Sequence, residues 1–336
     1  MKNVLYIGNK LRNRKSNVSS ISVLGPLLEQ EGFKLTYASS YTNKLRRMLD
    51  MLWTCIKHRK QTDVVLIDTY STQNFYYALL VSQLCRILKL KYIPSLNGGN
   101  LPMRLKKYTR LSGIIFNPAY KLISPSVYLK EAFEAFGYKN VVYIPNSLEM
   151  EQYAFHEKQL DQVKILWVRS FSKIYNPELA VTVLKKLQDD GIKASLCMVG
   201  PDTDGSMERV KSLATNLGVS VTITGKLPKK DWIALAKDYN IFINTTNYDN
   251  MPVSVIEAMA LGLPVVSTNV GGLPYLLQHE KEALWVPPKD EEAFVTAIKQ
   301  LIYNPVATKT MTFNARKKVE QFDWELVKHQ WIKLLS

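Results

Sequence analysis

The chain has 336 residues, 46% hydrophobic and 22% charged, which suits two domains of about 150 residues better than a single hydrophobic core. Cys55, Cys85 and Cys197 are too few and too scattered for a disulfide framework or a zinc site, and no window approaches the roughly 18 uninterrupted apolar residues of a membrane span. The net charge of +15 is uneven: residues 1–150 hold 22 Lys+Arg against 8 Asp+Glu, and the remainder 22 against 21, so the first half is expected to face something anionic.

The opening MKNVLYIGNK enters a strand-like run at once, and no secretory leader is expected. In chain order, NVLYIG reads as a strand and SVLGPLLEQEG as a helix ended by Gly32. KLTYAS, DVVLID and KYIPSL are further strands, with FYYALLVSQLCRILKL a buried helix between the last two, and YKLISPS and VVYIPNS follow as strands. Alternation of this kind predicts a parallel sheet covered on both faces. EMEQYAFHEKQLDQV is polar and aperiodic and reads as a linker. The same grammar then restarts, with KILWVR a strand and NPELAVTVLKKLQDDG a helix that has Pro177 near its start and Gly191 after its end. ASLCMVG, SVTITG, YNIFINT and LPVVST are the later strands. The expected architecture is α/β, two Rossmann-like domains facing each other across a cleft. Ligands of such sheets bind beyond the carboxyl ends of the strands, which gives weight to residues 8–15, 68, 97–100, 145–146, 169–173, 200–205, 225–226 and 244–250.

One stretch concentrates the chemistry: NYDNMPVSVIEAMALGLPVVSTNVGG, residues 247–272. A buried strand leads to a helix with Pro252 in its first turn and Gly262 after its end, so the helix N-terminus emerges at a strand's carboxyl end. Free N–H groups and the helix dipole favour a phosphate there. Asp249 precedes the helix. Glu257 lies more than a turn inside it, near the face of Val253 and Leu261, where it would reach a ligand along that face. A carboxylate accepts hydrogen bonds in pairs, which suits the vicinal diol of a ribose or hexose. Two solvated acids would be the plain alternative, but their position around a strand–Pro–helix junction followed by Gly-Gly favours function.

The eight-residue spacing of Asp249 and Glu257, followed by AMALGLPVV and GG, resembles the retaining GT-B glycosyltransferases of glycosyltransferase family 4. SPSVYLKEAFEAFGYKNVVYIPNS is similar to that family's linker-side signature, MVGPDTDG and ITGKLPKKDW fall at its next two strand ends, and FDWELVKHQWIKLL is similar to its terminal helix. The resemblance implies an acceptor-binding domain over 1–155, a nucleotide-sugar-binding domain over 156–318, and a helix over 319–336 that crosses back to the first domain. It implies that Glu257 holds the donor's ribose hydroxyls and that Asp249, where most members have Glu, contacts the donor sugar. Asn250, Met251, Pro252 and Val253 match the turn whose amides meet the sugar and diphosphate, and Gly200 closes a neighbouring strand on the donor side. Arg169 matches the arginine that pairs with the diphosphate, a task for its forked donors. Lys173 stands four residues later, where the family has a lysine at about five, and Lys226 is a second cationic candidate. Asp249, Arg169 and Lys173 are the implied catalytic set.

Gly8 and Asn9 match the first loop, GNKLRNRKSNVSS, that approaches donor and acceptor; members often have Gly-Gly there. Asn97, Gly98 and Gly99 sit where relatives often carry a histidine before the glycine, though Asn-Gly is also an ordinary turn. Asp68, after VVLI, reads as structural. None of His58, His156, His279 and His329 closes a strand, so no histidine base is expected. In a retaining enzyme the leaving diphosphate itself takes the acceptor's proton, with Arg169 and helix-end amides stabilising its charge. Asp202 and Asp204 in PDTDG read as a turn, and no metal or other cofactor is expected.

Residues 44–60, KLRRMLDMLWTCIKHRK, place Leu45, Met48, Leu49, Leu52, Trp53 and Ile56 at helical spacing, with Lys44, Arg46, Arg47, Lys57, Arg59 and Lys60 mostly on the remaining surface or at the ends. This is the composition of an interfacial helix on an anionic membrane, although a basic amphipathic helix packed on its own sheet reads the same way. RLKKYTR adds charge at 104–110. No nucleic-acid module or basic–aromatic interleaving is present, so no nucleic-acid partner is expected. The expectation is a cytoplasmic enzyme, peripheral on the inner face of the membrane. It would move a hexose-type sugar from a nucleotide-sugar donor to a glycan or polyprenyl-linked acceptor in surface polysaccharide or glycoconjugate synthesis. The alternatives are a non-catalytic sugar-nucleotide or membrane-binding module, and a GT-B epimerase, which would need a histidine or an acid set at the first-domain strand ends.

Overall fold

A computed structural model describes residues 2–11 and 19–336. The chain divides into two units, Met1–Asn146 with Glu325–Ser336, and Ser147–Trp324.

The first unit runs β1 (Asn3–Ile7), α1 (Ser20–Gln30), β2 (Lys34–Ala38), α2 (Lys44–His58), β3 (Val64–Thr69), α3 (Asn74–Ile87), β4 (Tyr92–Leu96), α4 (Leu101–Lys107), α5 (Thr109–Phe116), β5 (Leu122–Ser124), α6 (Val127–Ala135) and β6 (Val141–Tyr143). Its parallel sheet has the order β2-β1-β3-β4-β5-β6. VVLIDT and YIPSL, strands β3 and β4, are buried along their whole length, as helices on both faces require. The order reverses between β1 and β3, which makes that pair of strand ends the switch point.

The second unit runs β7 (Val163–Val168), α7 (Pro177–Asp189), β8 (Ala194–Val199), α8 (Ser206–Leu217), β9 (Val221–Gly225), α9 (Lys229–Leu235), β10 (Ile241–Asn244), α10 (Val253–Ala260), β11 (Val265–Thr268), α11 (Leu273–Leu276), β12 (Leu284–Val286), α12 (Glu291–Tyr303) and α13 (Pro305–Val319). From the β9 edge its order is β9-β8-β7-β10-β11-β12, the arrangement of dinucleotide-binding sheets, whose switch point lies between the first and fourth strands in chain order. Those are β7 and β10. β12 lies in ALWVPP, where the sequence pattern suggested no strand. Helix α14 (Trp324–Leu335) closes the chain and groups with the first unit; its Val327, Trp331 and Leu335 are buried, and Lys328 Nζ lies 3.4 Å from Glu31 Oε1.

Three expectations need correction. The unit boundary falls at Asn146/Ser147, ahead of residue 155, because Leu148 and, within the supposed linker, Met150 and Tyr153 are buried in the second unit's core. Leu148 N–H also donates to Phe322 O at 3.0 Å, and Trp324 N–H to Leu148 O at 2.7 Å, and residues 319–324 of the expected 319–336 segment group with the second unit. Helix α10 begins at Val253 with Pro252 as its N-cap, one position before the first turn. Finally, α2 buries Arg47, Met51 and Cys55. Arg47, expected on the remaining surface, is an internal clamp, donating to Tyr41 O at 2.7 Å, Thr42 O at 2.8 Å and Asn9 Oδ1 at 3.1 Å, while Leu45, Leu49 and Trp53 of the apolar stripe face solvent.

Candidate active site

The switch point of the second sheet gathers most of the implied donor residues. Arg169 follows β7 directly, and its N–H donates to Val199 O at 3.0 Å. Its guanidinium lies over the Tyr175 ring, 4.2 Å from the centroid, and pairs with the Asp249 carboxylate, the two side chains being 14% and 13% exposed. Asp249 Oδ1 also accepts from the N–H of Asn250 at 2.8 Å. The loop that carries Asp249 is bonded to its surroundings at several points. Trp167 Nε1 donates to Thr245 Oγ1 at 3.0 Å, Thr245 Oγ1 to Tyr175 O at 2.8 Å, and Thr268 Oγ1 to Thr246 O at 2.7 Å. Asn247 N–H donates to Ile174 O at 2.7 Å. Hydrogen-bond networks of this kind rigidify a site.

The Gly-Gly pair holds this loop from the other side. A Cβ on Gly271 would stand 2.0 Å from Asp249 O, and one on Gly272 2.0 Å from Asn250 O. Gly272 N–H donates to Asp249 O at 3.0 Å. The end of β11 therefore needs two residues without side chains so that its backbone can lie against the acid loop. Gly200 does the same for Arg169: its φ is +152°, and a Cβ there would meet Arg169 O at 1.8 Å.

Asn250, Met251 and Pro252 are buried and Val253 is on the surface. The first amides of α10 lack carbonyl partners within the helix. Ser254 Oγ on α10, Asn244 Oδ1 at the end of β10, Asn247 Oδ1 in the loop that follows and Arg169 Nε just beyond β7 are buried with no hydrogen-bond partner among the described residues. Buried polar atoms left unsatisfied are costly, and their occurrence on residues that follow the β7 and β10 ends marks these strand ends as a place for a polar ligand.

Glu257 lies more than a turn inside α10. It is 5% exposed, and its Oε1 accepts from the Tyr153 hydroxyl at 2.7 Å and lies 3.3 Å from Lys229 Nζ. Burial pushes its pKa up, while Lys229 and Tyr153 act to lower it. Tyr153 and Lys229 escaped the sequence pattern; Tyr153 lies in the aperiodic stretch, and Lys229 among neighbouring lysines.

Lys173 reaches the cluster only through its backbone, its N–H donating to Asp204 Oδ2 at 2.9 Å and its carbonyl accepting from Asn247 Nδ2 at 3.1 Å, while its side chain is exposed. Lys226 is exposed at the end of β9, the edge strand separated from β7 by β8. Asp202 and Asp204 form a turn: Asp202 Oδ1 accepts from Gly205 N at 3.0 Å, and Asp204 Oδ1 from Ser206 N at 3.2 Å. Burial acts to raise the Asp204 pKa, but hydrogen bonds from Ser206, the Lys173 amide and Ser172 outweigh it and bring it to about 2.

In the first unit, Gly8 ends β1, and a Cβ there would stand 2.6 Å from Asp68 Oδ2. Asp68, at the end of β3, is 5% exposed. Its Oδ1 accepts from Tyr6 Oη at 3.1 Å and from Asn97 Nδ2 at 2.8 Å, so Asn97 serves Asp68. Asn9 accepts Arg47 through Oδ1 at 3.1 Å and Ser19 Oγ through its carbonyl at 2.6 Å. Gly98 lies against the Tyr70–Ser71 backbone, where a Cβ would stand 2.4 Å from Ser71 N, and Gly99 follows it before α4. Residues 12–18 of the expected first loop lie outside the described residues.

Burial pushes the Asp68 pKa up to about 7, against the lowering effect of the bonds from Tyr6, the Ile21 amide and Asn97. The folded value lies above the unfolded one, so the native state holds the proton more tightly. Stability present in acid is lost as pH rises from about 4 through about 7. Asp68→Asn is expected to remove this component, making the variant more stable than the wild type at pH 8 by up to about 4 kcal/mol and less so at pH 4. Denaturant midpoints across that range check it.

The family model described as "Glycosyl transferases group 1" matches residues 150–318, half of the chain. The sulfoquinovosyl transferase SQD2 of Arabidopsis thaliana is 26% identical over 151 residues, 44% of this chain and 29% of that protein. The chain spans roughly a third to under a half of the length of the first curated relatives it matches, 29% to 45%. Sucrose-phosphate synthase (tll1590) from Thermosynechococcus elongatus shares the fold with a TM-score of 0.82 and 17% identity, covering 99% of this chain and 98% of its own. Anabaena Alr3699/HepE, solved in complex with UDP-glucose, has a TM-score of 0.80 at 15% identity and covers 100% of this chain and 99% of its own. The two six-stranded parallel sheets are thus those of the GT-B fold.

Proposed function

The chain belongs to the glycosyl transferases group 1 family, and on that premise we propose that it is a retaining hexosyltransferase using a nucleoside diphosphate sugar. The observation that carries this reading is the convergence of Arg169, Asp249 and the start of α10 at the switch point of the second sheet, with Glu257 on the same helix. In this reading Glu257 accepts the ribose hydroxyls, Arg169 and the α10 amides receive the diphosphate, and Asp249 takes a hydroxyl of the sugar. The bond from the anomeric carbon to the diphosphate oxygen breaks, its electron pair leaving with the diphosphate. The acceptor oxygen bonds that carbon from the same face, and its proton passes to the departing oxygen. Arg169 and the amides stabilise the developing charge in place, without a call for a metal. UDP-glucose is the first donor to try, since a similarly folded protein was solved with it.

The acceptor side of the proposal is a glycan or polyprenyl-linked molecule at an anionic membrane surface, the protein being peripheral on its cytoplasmic face. Support comes from α2, where Leu45, Leu49 and a 63% exposed Trp53 stand outward beside Lys44, Arg46 and Lys57. Tyr76, Leu80 and Ile87 are exposed on α3, against which α2 packs. The helix composition suits an anionic interface. No helix among the described residues is long and apolar enough to cross a membrane.

The test is turnover of UDP-glucose and its GDP, ADP and dTDP counterparts in the presence of short glycan or polyprenyl phosphate acceptors, with proton NMR of the new anomeric centre. Release of nucleoside diphosphate with an unchanged anomer is expected. Inversion, or binding without release, would contradict the reading. Cosedimentation with anionic but not zwitterionic vesicles, weakened by Trp53→Ser, is expected for the membrane part.

A further inference from the structure

Tyr153 and Lys229 converge on a single atom. The Tyr153 hydroxyl donates to Glu257 Oε1 at 2.7 Å, Lys229 Nζ stands 3.3 Å from the same oxygen, and that ammonium lies 5.5 Å from the centroid of the Tyr153 ring. Resting on the reading of Glu257 as the acceptor of ribose hydroxyls, we infer that Tyr153 and Lys229 are positioning residues: they keep the Glu257 carboxylate ionised and oriented with Oε2 toward the diol.

A vicinal diol offers two donors, and only an ionised carboxylate presents acceptors on both oxygens; a protonated one gives up acceptor capacity and adds a competing donor. Burial drives a carboxylate toward the protonated form, and Glu257 is almost wholly buried. Compensation must come from its neighbours. Strands β10 and β11, which pack on α10, carry no titratable side chain. Helix α13 contributes Arg316, whose guanidinium is engaged by Tyr153 O at 2.6 Å, Ala260 O at 2.7 Å and Glu320 Oε1 at 2.9 Å. Glu149 acts on Tyr153 rather than on Glu257. Lys229 from α9 therefore supplies the compensating charge. Tyr153, its backbone held by Arg316, supplies the hydrogen bond that fixes the carboxylate's rotation. A charge-assisted bond of this sort is stronger than a neutral one, and it occupies Oε1 while leaving Oε2 for the ligand.

The experiment is calorimetric titration of UDP from pH 5.5 to 9 into the wild type, Lys229→Met, Lys229→Arg and Tyr153→Phe, read as the ratio of variant to wild-type affinity at each pH. Lys229→Met is expected to bind about tenfold more weakly at pH 6 and to recover toward the wild type by pH 9, one pKa unit corresponding to a factor of ten. Lys229→Arg is expected to restore wild-type behaviour, and Tyr153→Phe to weaken binding by about three- to tenfold. A Lys229→Met deficit constant over pH, or no deficit, overturns the inference and leaves the reading of Glu257 intact. Failure of the wild type to bind UDP, GDP, ADP or dTDP overturns both. Lys229 is 42% exposed, so its variants carry the test even where Tyr153→Phe disturbs packing.

Discussion

Replacing Gly272 with alanine is expected to cut transfer by at least about a hundredfold while the chain remains folded. The added methyl group would sit 2.0 Å from Asn250 O and 3.3 Å from its Cα, both backbone atoms with no rotamer by which to withdraw. Gly272 N–H also bonds Asp249 O at 3.0 Å. Relief must therefore come from moving residues 249–250 away from β11, and with them the Asp249 carboxylate and the approach to α10. A displacement of about 1 Å at a reacting centre costs on the order of a hundredfold in rate. Gly271→Ala meets the same obstacle at Asp249 O, with the added cost of a left-handed φ of +58°. The check is kcat/KM together with the melting temperature. An alanine variant that turns over within about threefold of the wild type would show that the close backbone approach has no bearing on the reaction.

Arg169→Ala is expected to lose both stability and activity, by different routes. Its guanidinium pairs with Asp249 in a largely buried setting and covers the Tyr175 ring at 4.2 Å. Removing it leaves the Asp249 carboxylate unpaired, and breaking a buried pair costs about 3–5 kcal/mol, less here for the remaining exposure. The expected loss is about 2–3 kcal/mol, together with a fall in kcat of about a hundred- to a thousandfold from the missing stabilisation of the leaving group. The double variant Arg169→Ala/Asp249→Asn separates the two. Stability is expected to return in large part, because no unpaired charge remains, while kcat stays low. Recovery of kcat with stability would mean that Arg169 serves only as the partner of Asp249.

Much of this organisation was legible in the sequence because buried parallel strands are apolar along their length. VVLID, YIPSL and LPVVST announce β3, β4 and β11, and the glycines after the helices mark where they stop. What escaped was whatever depends on partners distant in the chain. The α2 segment carries two candidate stripes with the same period. One is Arg47, Met51 and Cys55, the other Leu45, Leu49 and Trp53, and helical spacing cannot say which one meets the sheet. The more apolar stripe proved to be outside, since Arg47 finds carbonyls at Tyr41 and Thr42 and the side-chain oxygen of Asn9. Asp68 read as one more acid after a strand, because nothing local shows that Gly8 will bury it. The spacing of Asp249 and Glu257 pointed to two acids of one site, but the contact that defines Glu257 comes from Tyr153, 104 positions away. The contact that defines Asp249 comes from Arg169, just beyond the end of β7.

The most direct test of the account is calorimetric titration of UDP into the wild type and Glu257→Ala at pH 7.5, with uridine monophosphate and 2′,3′-dideoxyuridine diphosphate as comparison ligands. Binding of UDP by the wild type is predicted, weakened by about tenfold or more both by removal of the ribose hydroxyls and by Glu257→Ala. The two losses should not add, because one removes the donors and the other the acceptor of the same hydrogen bonds. Additive losses, or a Glu257→Ala variant that binds UDP as the wild type does, would contradict the assignment of Glu257 and the donor site built around it.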